Sequence, residues 1–331
     1  MLNSDLKLNT KIWNDDVEQV PIRKGFGEGL AQAGETNKDI VALCADLTES
    51  TQMHFFKNKF PERFVEIGVA EQNLAAVASG MAAMGKYPFF SSYAMFSPGR
   101  NWEQIRTTLA YNDRAAVIVG SHAGVSVGPD GGTHQAIEDI ALTRVIPRMT
   151  VLSPCDALQA KKMTLALAQS PKLTYLRLAR EKTPIITTDE TPFEIGKGQI
   201  FYRPDGIAHV AIIATGALVA TALRVAKDLE EKKHIKVIVV NIHTIKPLDE
   251  ELIIKVAKET KAIVTVEEHQ VVGGLGGAVA ECLAKHAPTP IEFVGVQDLF
   301  GQSGTPKELI EHYGMGHDGI TAAVLKVIDR K

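Results

Sequence analysis

At 331 residues, 45% hydrophobic and 23% charged, the chain is long enough to bury the cores of about two domains. Its formal net charge of −3, with no Lys/Arg-rich block, disfavours a nucleic-acid or other polyanionic partner. Cys44, Cys155 and Cys282 are scattered without disulfide or zinc spacing, no apolar leader opens the sequence, and no apolar run reaches about 18 residues, which predicts a folded cytoplasmic protein without membrane spans. In chain order, strands are predicted at 39–46, 64–68, 87–93, 115–121, 149–154 and 173–180. Helices fall between them at 24–36, 70–84, 99–111, 135–145 and 155–169. Buried runs separated by helices mark a mostly parallel α/β sheet. The Pro- and Thr-rich stretch 181–206 reads as an interdomain connection. A second alternation follows, with strands at 208–215, 235–242, 262–268 and 291–296 and helices at 217–231, 249–259, 276–286 and 317–330. The expected architecture is two α/β domains, 1–190 and 191–331, each a mostly parallel sheet flanked by helices.

The segment 64–85, FVEIGVAEQNLAAVASGMAAMG, raises the first chemical question. Its helix is apolar nearly all round, which predicts burial. Yet it opens with Glu71, which shares a face with Leu74, Ala75 and Ala78. A helix N-terminus favours the carboxylate, while desolvation opposes it. The ordinary alternative is a first-turn Glu that complements the helix dipole and reaches solvent.

The loop 120–135, GSHAGVSVGPDGGTHQ, follows a buried strand, where parallel α/β sheets place their sites. Its glycines allow close backbone approach to a ligand. Its His122, Asp130 and His134 are suited to binding hydroxyls, relaying protons or stabilising an oxyanion. A surface loop with incidental histidines is the plainer reading, and the spacings match no usual metal-ligand pattern. Ser126 in GVSVG fits the G-x-S-x-G elbow, so a serine hydrolase is a rival class. The elbow needs a strand ending at the serine and a helix starting after it; here the strand ends earlier, and GPDGG cannot start a helix. In 89–106, Tyr93 and Phe96 lie past the buried run, where they offer a wall for a flat heteroaromatic ring; core packing is the default for such a cluster. Arg23, Ser50 and Arg180 stand alone at element ends, and each by itself reads as a solvated surface residue. The Gly-rich turn 271–281 reads as close helix–strand packing rather than a phosphate cradle.

Together these segments resemble the C-terminal half of transketolases, which are thiamine-diphosphate enzymes, over nearly the whole chain. EIGVAEQN (66–73) is similar to the family's G-[IV]-x-E-[HQ] segment, CADLTES (44–50) to its A-D-L-T-x-S turn, and SHAGVSVGPDGGTHQAIED (121–139) to its long Gly/His loop. Ala123 departs from the acidic residue common there. The resemblance implies a pyrimidine-binding domain followed by a transketolase C-terminal domain. It implies that Glu71 bonds the cofactor's aminopyrimidine, that Phe96 and Tyr93 pack on that ring, and that Asp46 lies near the thiazolium. His134 and His122 would contact sugar oxygens, Asp130 a donor hydroxyl, and Arg23, Ser50 and Arg180 the sugar phosphate.

The G-D-G motif with its downstream Asn, by which the superfamily holds the diphosphate and its metal, is not found in this sequence. The expectation is therefore a split enzyme. A separate N-terminal subunit would hold the diphosphate and Mg²⁺ (or Ca²⁺), and the two kinds of chain would form an α2β2 heterotetramer with the active site at the subunit interface. The AEQ wording also resembles the C-terminal half of deoxyxylulose-phosphate synthase and the β subunit of 2-oxoacid dehydrogenase E1, which stay open as alternatives.

Overall fold

The computed structural model describes residues 1–331. The first half contributes β1 (Gln19–Pro21), β2 (Ile40–Cys44), β3 (Phe64–Glu66), β4 (Tyr87–Tyr93), β5 (Val117–Ser121), β6 (Thr150–Leu152), β7 (Thr174–Arg177) and β8 (Lys182–Pro184). Its helices are α1 (Ile22–Thr36), α2 (His54–Lys59), α3 (Glu71–Ala83), α4 (Trp102–Gln104), α5 (Asp139–Arg144) and α6 (Ala157–Gln169). The second half adds β9 (Gln199–Tyr202), β10 (Val210–Ala214), β11 (Val237–Asn241), β12 (Thr244–Lys246), β13 (Ile263–Gln270) and β14 (Ile291–Val296). Around these pack α7 (Val219–Lys233), α8 (Glu250–Thr260), α9 (Leu275–His286), α10 (Pro306–His312) and α11 (His317–Asp329). No helix is long and apolar enough to cross a membrane.

Two large sheets result, with strand orders β12-β6-β7-β5-β4-β2-β3 and β14-β13-β10-β11-β9, beside a two-stranded antiparallel ribbon of β1 and β8. Within the large sheets all pairs are parallel except β12 on β6 and β9 on β11. The sequences of β2, β5, β10 and β11 are wholly buried. Continuous Val/Ile/Ala/Leu runs suit strands covered by helices on both faces. The helix cover is close: a Cβ on Gly25 of α1 would lie 1.8 Å from the Ala157 carbonyl oxygen at the start of α6. That contact fixes the N-terminus of α1, and with it Arg23.

The structure corrects several local expectations. β9 lies inside the stretch read as a connection, and its Phe201 and Tyr202 are buried. The N-terminal arm packs there too, with Ile12 in the same core and the Asn3 N–H donating to the Phe201 carbonyl at 3.0 Å. β12, although it follows β11, joins the first sheet through Thr244 opposite Leu152. The helix expected over 99–111 is a single turn continued by a π-helical segment, Ile105–Ala110. The helix expected from 135 starts only at Asp139.

The largest difference concerns α3. Only Glu71, Leu74, Ala75 and Ala78 are buried, the i, i+3, i+4, i+7 stripe that faces the sheet. Ala76, Gly80, Ala83 and Met84 are exposed in the single chain. An apolar composition all round thus covers one buried stripe and one open apolar face.

Candidate active site

In the first sheet, β2 leads to β3 on one side while its other neighbour, β4, leads to β5. The loops leaving β2 and β4 therefore diverge, and a crevice opens beyond their C-terminal ends. Asp46 follows β2, Tyr93 ends β4, and His122 follows β5. Parallel strand direction alone places these three loops at one edge.

The aromatic side chains meet there. Tyr93 and His122 stack with ring centroids 3.9 Å apart and 25° between planes. Tyr93 and Phe96 are stacked at 6.3 Å and 15°. His134 stands edge-on to both, at 6.3 Å from Tyr93 and 5.3 Å from Phe96. Its Nδ1 bonds the Thr133 hydroxyl at 3.0 Å, and its Nε2 makes no hydrogen bond within the chain.

His122 is buried, with its Nε2 3.3 Å from Arg23 Nη1 and its Nδ1 2.8 Å from Ser121 Oγ. A guanidinium can only donate, so Nε2 accepts and Nδ1 carries the proton toward Ser121. Burial, reinforced by the charges of Arg23 and Arg180, pushes the His122 pKa down to about 3. The ring is neutral in the folded chain, while in the unfolded chain it titrates near 6.5. Its contribution to stability is therefore complete above 6.5 and is lost as pH falls toward 3. By NMR, the His122 ring resonances are expected to stay fixed between about pH 5 and 8, the range in which an ordinary histidine titrates. A titration midpoint near 6.5 would contradict this geometry.

Glu71 begins α3 and is 2% exposed. Its Oε2 accepts from Arg100 Nη1 at 2.7 Å, and Oε1 has no hydrogen-bond partner in the chain. The Arg100 guanidinium also lies 4.9 Å from the centre of the Phe96 ring. The Asn101 side chain donates to the Glu71 carbonyl at 3.0 Å and to Ser97 Oγ at 3.1 Å. Glu71, Phe96 and Arg100 thus form one unit, of which sequence reasoning missed Arg100 and Asn101. The available signal was the spacing Phe96-x-x-x-Arg100 at a helix start.

The Asp46 side chain is exposed on a left-handed residue with φ 59°. Its N–H donates to Glu66 Oε1 at 2.7 Å; the same carboxylate accepts from Gly68 N–H at 3.1 Å and from Thr48 Oγ1 at 2.9 Å. Glu66, unremarked in the sequence, ties the turn after β2 to the loop that enters α3.

At the other end, Arg23 Nη1 donates to the Ser50 carbonyl at 2.6 Å, and Arg180 Nη1 to the Val127 carbonyl at 2.5 Å. Burial and the charge of Arg180 both lower the Arg23 pKa. Arg23 Nε is buried without a partner. Two guanidinium groups that repel each other, one with an unpaired N–H, form a place for an anion. Ser50 takes part through its carbonyl rather than its hydroxyl. Asp130 is exposed and its carboxylate makes no hydrogen bond or ion pair, so the structure does not join it to the histidines.

The Gly-rich loop is held from behind. Ser126 N–H donates to Glu268 Oε1 of β13 at 2.6 Å. No histidine bonds Ser126, and β5 ends at Ser121, so the arrangement of a hydrolase elbow is not present. The Gln135 side chain donates to the carbonyls of Val125, Gly128 and Gln302. Beneath the loop, Arg177 Nε bonds Asp139 Oδ2 at 2.8 Å, and Tyr175 donates to the same oxygen at 2.6 Å. At the turn 271–281, the Glu267 carboxylate accepts from Leu275 and Gly276 N–H at 2.7 Å each, so a side chain already fills the anion position at the start of α9.

The chain is similar to known proteins over nearly its whole length. Residues 18–185 match the family described as transketolase, pyrimidine binding domain, and residues 204–320 that described as transketolase, C-terminal domain. A Methanocaldococcus jannaschii protein provisionally assigned as a transketolase C-terminal section is 43% identical, over 94% of this chain and 97% of that protein. The 6-deoxy-6-sulfo-D-fructose transketolase subunit SqwH of a Clostridium species is 37% identical, over 95% of this chain and 97% of that one. A solved structure described as a split gene transketolase, inactive beta4 tetramer, superposes with a TM-score of 0.86 at 41% identity, covering 94% of this chain and 99% of that chain. With both family domains matched in order and relatives of this identity aligned over nearly their whole length, the chain belongs to the transketolase family.

Proposed function

We propose that this chain is the C-terminal subunit of a two-subunit transketolase. It would move a two-carbon ketol unit from a ketose phosphate to an aldose phosphate with thiamine diphosphate, and would act only with an N-terminal subunit that holds the diphosphate and its Mg²⁺. The observation that carries this reading is the buried Glu71 carboxylate with one open acceptor oxygen beside the Phe96 and Tyr93 rings. Relatives of matching length that are named as a C-terminal section and as a subunit support the split arrangement. Val69 and Met84 flank α3 at 72% and 83% exposure and Tyr111 is 83% exposed, an apolar surface suited to subunit contact in an α2β2 assembly.

The residues present fit the cofactor's pyrimidine end. A flat ring with hydrogen-bond donors matches a buried carboxylate acceptor and a stacked aromatic pair. Bound there, thiamine diphosphate supplies the carbon nucleophile for the ketose carbonyl. Glu71 would exchange a proton through Oε1 with the ring nitrogen it faces, in a setting that excludes water. Neutral His122 commits Nδ1–H to Ser121 and Nε2 to Arg23, so it positions rather than relays. His134 Nε2 is free to bond a sugar oxygen near the reacting carbon. Arg23 and Arg180 would hold the phosphate, the bidentate geometry for which guanidinium is suited. Asp46 and Asp130 would line the thiazolium side and the donor hydroxyls, and Ser50 the phosphate end.

The test is ketol transfer from xylulose 5-phosphate to ribose 5-phosphate with the chain alone and with its co-purifying partner. Activity is expected only in the mixture. Transfer by the lone chain would refute the split assignment, and pyruvate decarboxylation without ketol transfer would refute the reaction.

A further inference from the structure

The two halves of the chain meet at the loop that carries His134. Its backbone gains little order of its own: Gly124, Gly128 and Gly131 have φ values of 89°, 79° and 77°, and glycine loses the most conformational freedom on ordering. The short 3₁₀ segment Val125–Asp130 begins without a side-chain cap, since Gly124 has none to offer. Ser126 is buried, and its N–H lies in the first turn of that segment, where no intrahelical acceptor exists. A buried N–H left without an acceptor costs the full desolvation of that group.

Glu268 supplies the acceptor from β13, in the C-terminal half. It is itself buried, and its Oε1 accepts from the Ser126 N–H at 2.6 Å. The same carboxylate packs on Gly124, where a Cβ would lie 2.2 Å from Oε1. Arg177 donates to Asp139 and to the Glu268 main-chain carbonyl, so the Glu268 carboxylate is left to the loop. Around this contact the C-terminal half backs the loop at further points. Val125 and Ile137 lie in the apolar core that contains Val264, Val266 and Leu309. The Gln135 side chain donates to the Gln302 carbonyl at 2.9 Å, and a Cβ on Gly132 would lie 2.5 Å from the Gly301 carbonyl oxygen. Main-chain bonds carry this support on to His134. The Gly131 N–H donates to the Gly128 carbonyl at 3.1 Å, and the His134 N–H to the Gly131 carbonyl at 3.0 Å.

We propose that Glu268 is a positioning residue for ketol transfer: from the C-terminal half it holds the loop 124–135, and so sets His134 beside Tyr93 and Phe96. The inference rests on the reading of His134 as a contact to a sugar oxygen. It gives the C-terminal half a part in the reaction, although Glu71, Tyr93, Phe96, His122 and His134 all come from the first half. What the loop requires is an acceptor that reaches Ser126, not a negative charge. Glu268→Gln keeps that reach without the charge. Glu268→Asp keeps the charge but is one methylene short, and Glu268→Ala removes both.

The test has two arms. In the isolated chain, hydrogen–deuterium exchange of peptides covering 124–134 is expected to speed up at least about tenfold in Glu268→Ala and Glu268→Asp. It should stay near the parent rate in Glu268→Gln, and exchange in α3 and β4 should not change. After reconstitution with the N-terminal partner, kcat/KM for ribose 5-phosphate is expected to fall at least about tenfold in Glu268→Ala and Glu268→Asp but not in Glu268→Gln. The thiamine diphosphate concentration giving half activity should stay the same in all three, because Glu71, Tyr93 and Phe96 are untouched. Unchanged loop exchange, faster exchange spread equally over α3 and β4, Glu268→Gln as impaired as Glu268→Asp, or an unchanged kcat/KM would each overturn the proposal. Should Glu268→Ala not fold, Glu268→Asp against Glu268→Gln decides alone. A parent complex without ketol transfer would instead refute the transketolase reading. The exchange arm, which needs neither partner nor substrate, would still decide whether Glu268 holds the loop.

Discussion

Glu71→Gln, assayed with the N-terminal partner, is expected to lose about 10²–10⁴-fold in kcat, the range for removing a positioned acid–base group. Glutamine keeps the volume and one oxygen, so packing against Leu74, Ala75 and Ala78 is unchanged; what goes is the ability to exchange a proton. The fold should tolerate the change. Arg100 is 50% exposed and can turn to water, so the lost ion pair costs within about 1 kcal/mol. Urea unfolding of the isolated variant measures that term separately from activity. A reconstituted variant within tenfold of the parent kcat would mean that Glu71 serves only its ion pair with Arg100.

Asp139→Ala is expected to have the opposite profile: about 3–5 kcal/mol of stability lost, because the buried Arg177 guanidinium is left without its counter-charge. Arg177 would keep only the carbonyls of Glu268, at 2.7 Å, and Ala136, at 3.4 Å. Tyr175 would lose its acceptor in the same core. The cluster joins the two halves of the chain, since Arg177 reaches from β7 to the backbone of β13. Burial raises the Asp139 pKa, but Arg177 outweighs it and the net value lies below 3.8. The carboxylate therefore contributes its stability at every pH above 3.8, and that contribution is lost only as pH falls through the lower folded value. Urea unfolding at neutral pH checks the magnitude. A loss under about 1 kcal/mol would show that water replaces the missing carboxylate. Gly120→Ala offers a second approach, because its Cβ would lie 2.2 Å from the Tyr175 hydroxyl and push the ring from Asp139.

Much of the site was legible because its residues lie near one another along the chain. His122 and His134 share one loop, and Tyr93 and Phe96 lie three residues apart at a strand end. What could not be read were partners distant in sequence. Glu268 meets Ser126 across 142 positions, and Arg177 meets Asp139 across 38. Arg177 was visible as a charge within an apolar strand, but nothing local says which carboxylate answers it. Arg100 lay within the segment noted for its aromatics, yet only the fold shows its guanidinium turned back onto Glu71.

The alternation of apolar runs and helices by itself determined two parallel α/β layers, because strands covered on both faces must be continuously apolar. It also marked which loops are chemically equipped, since His and Asp are costly to bury without partners. Only the tertiary structure decided that three-residue β12 crosses to the first sheet, a length too short to carry any period. It likewise decided which face of α3 is buried. That helix is apolar on both sides, so composition cannot choose; the stripe containing Glu71 packs inward because β2 and β4 present their surface to it.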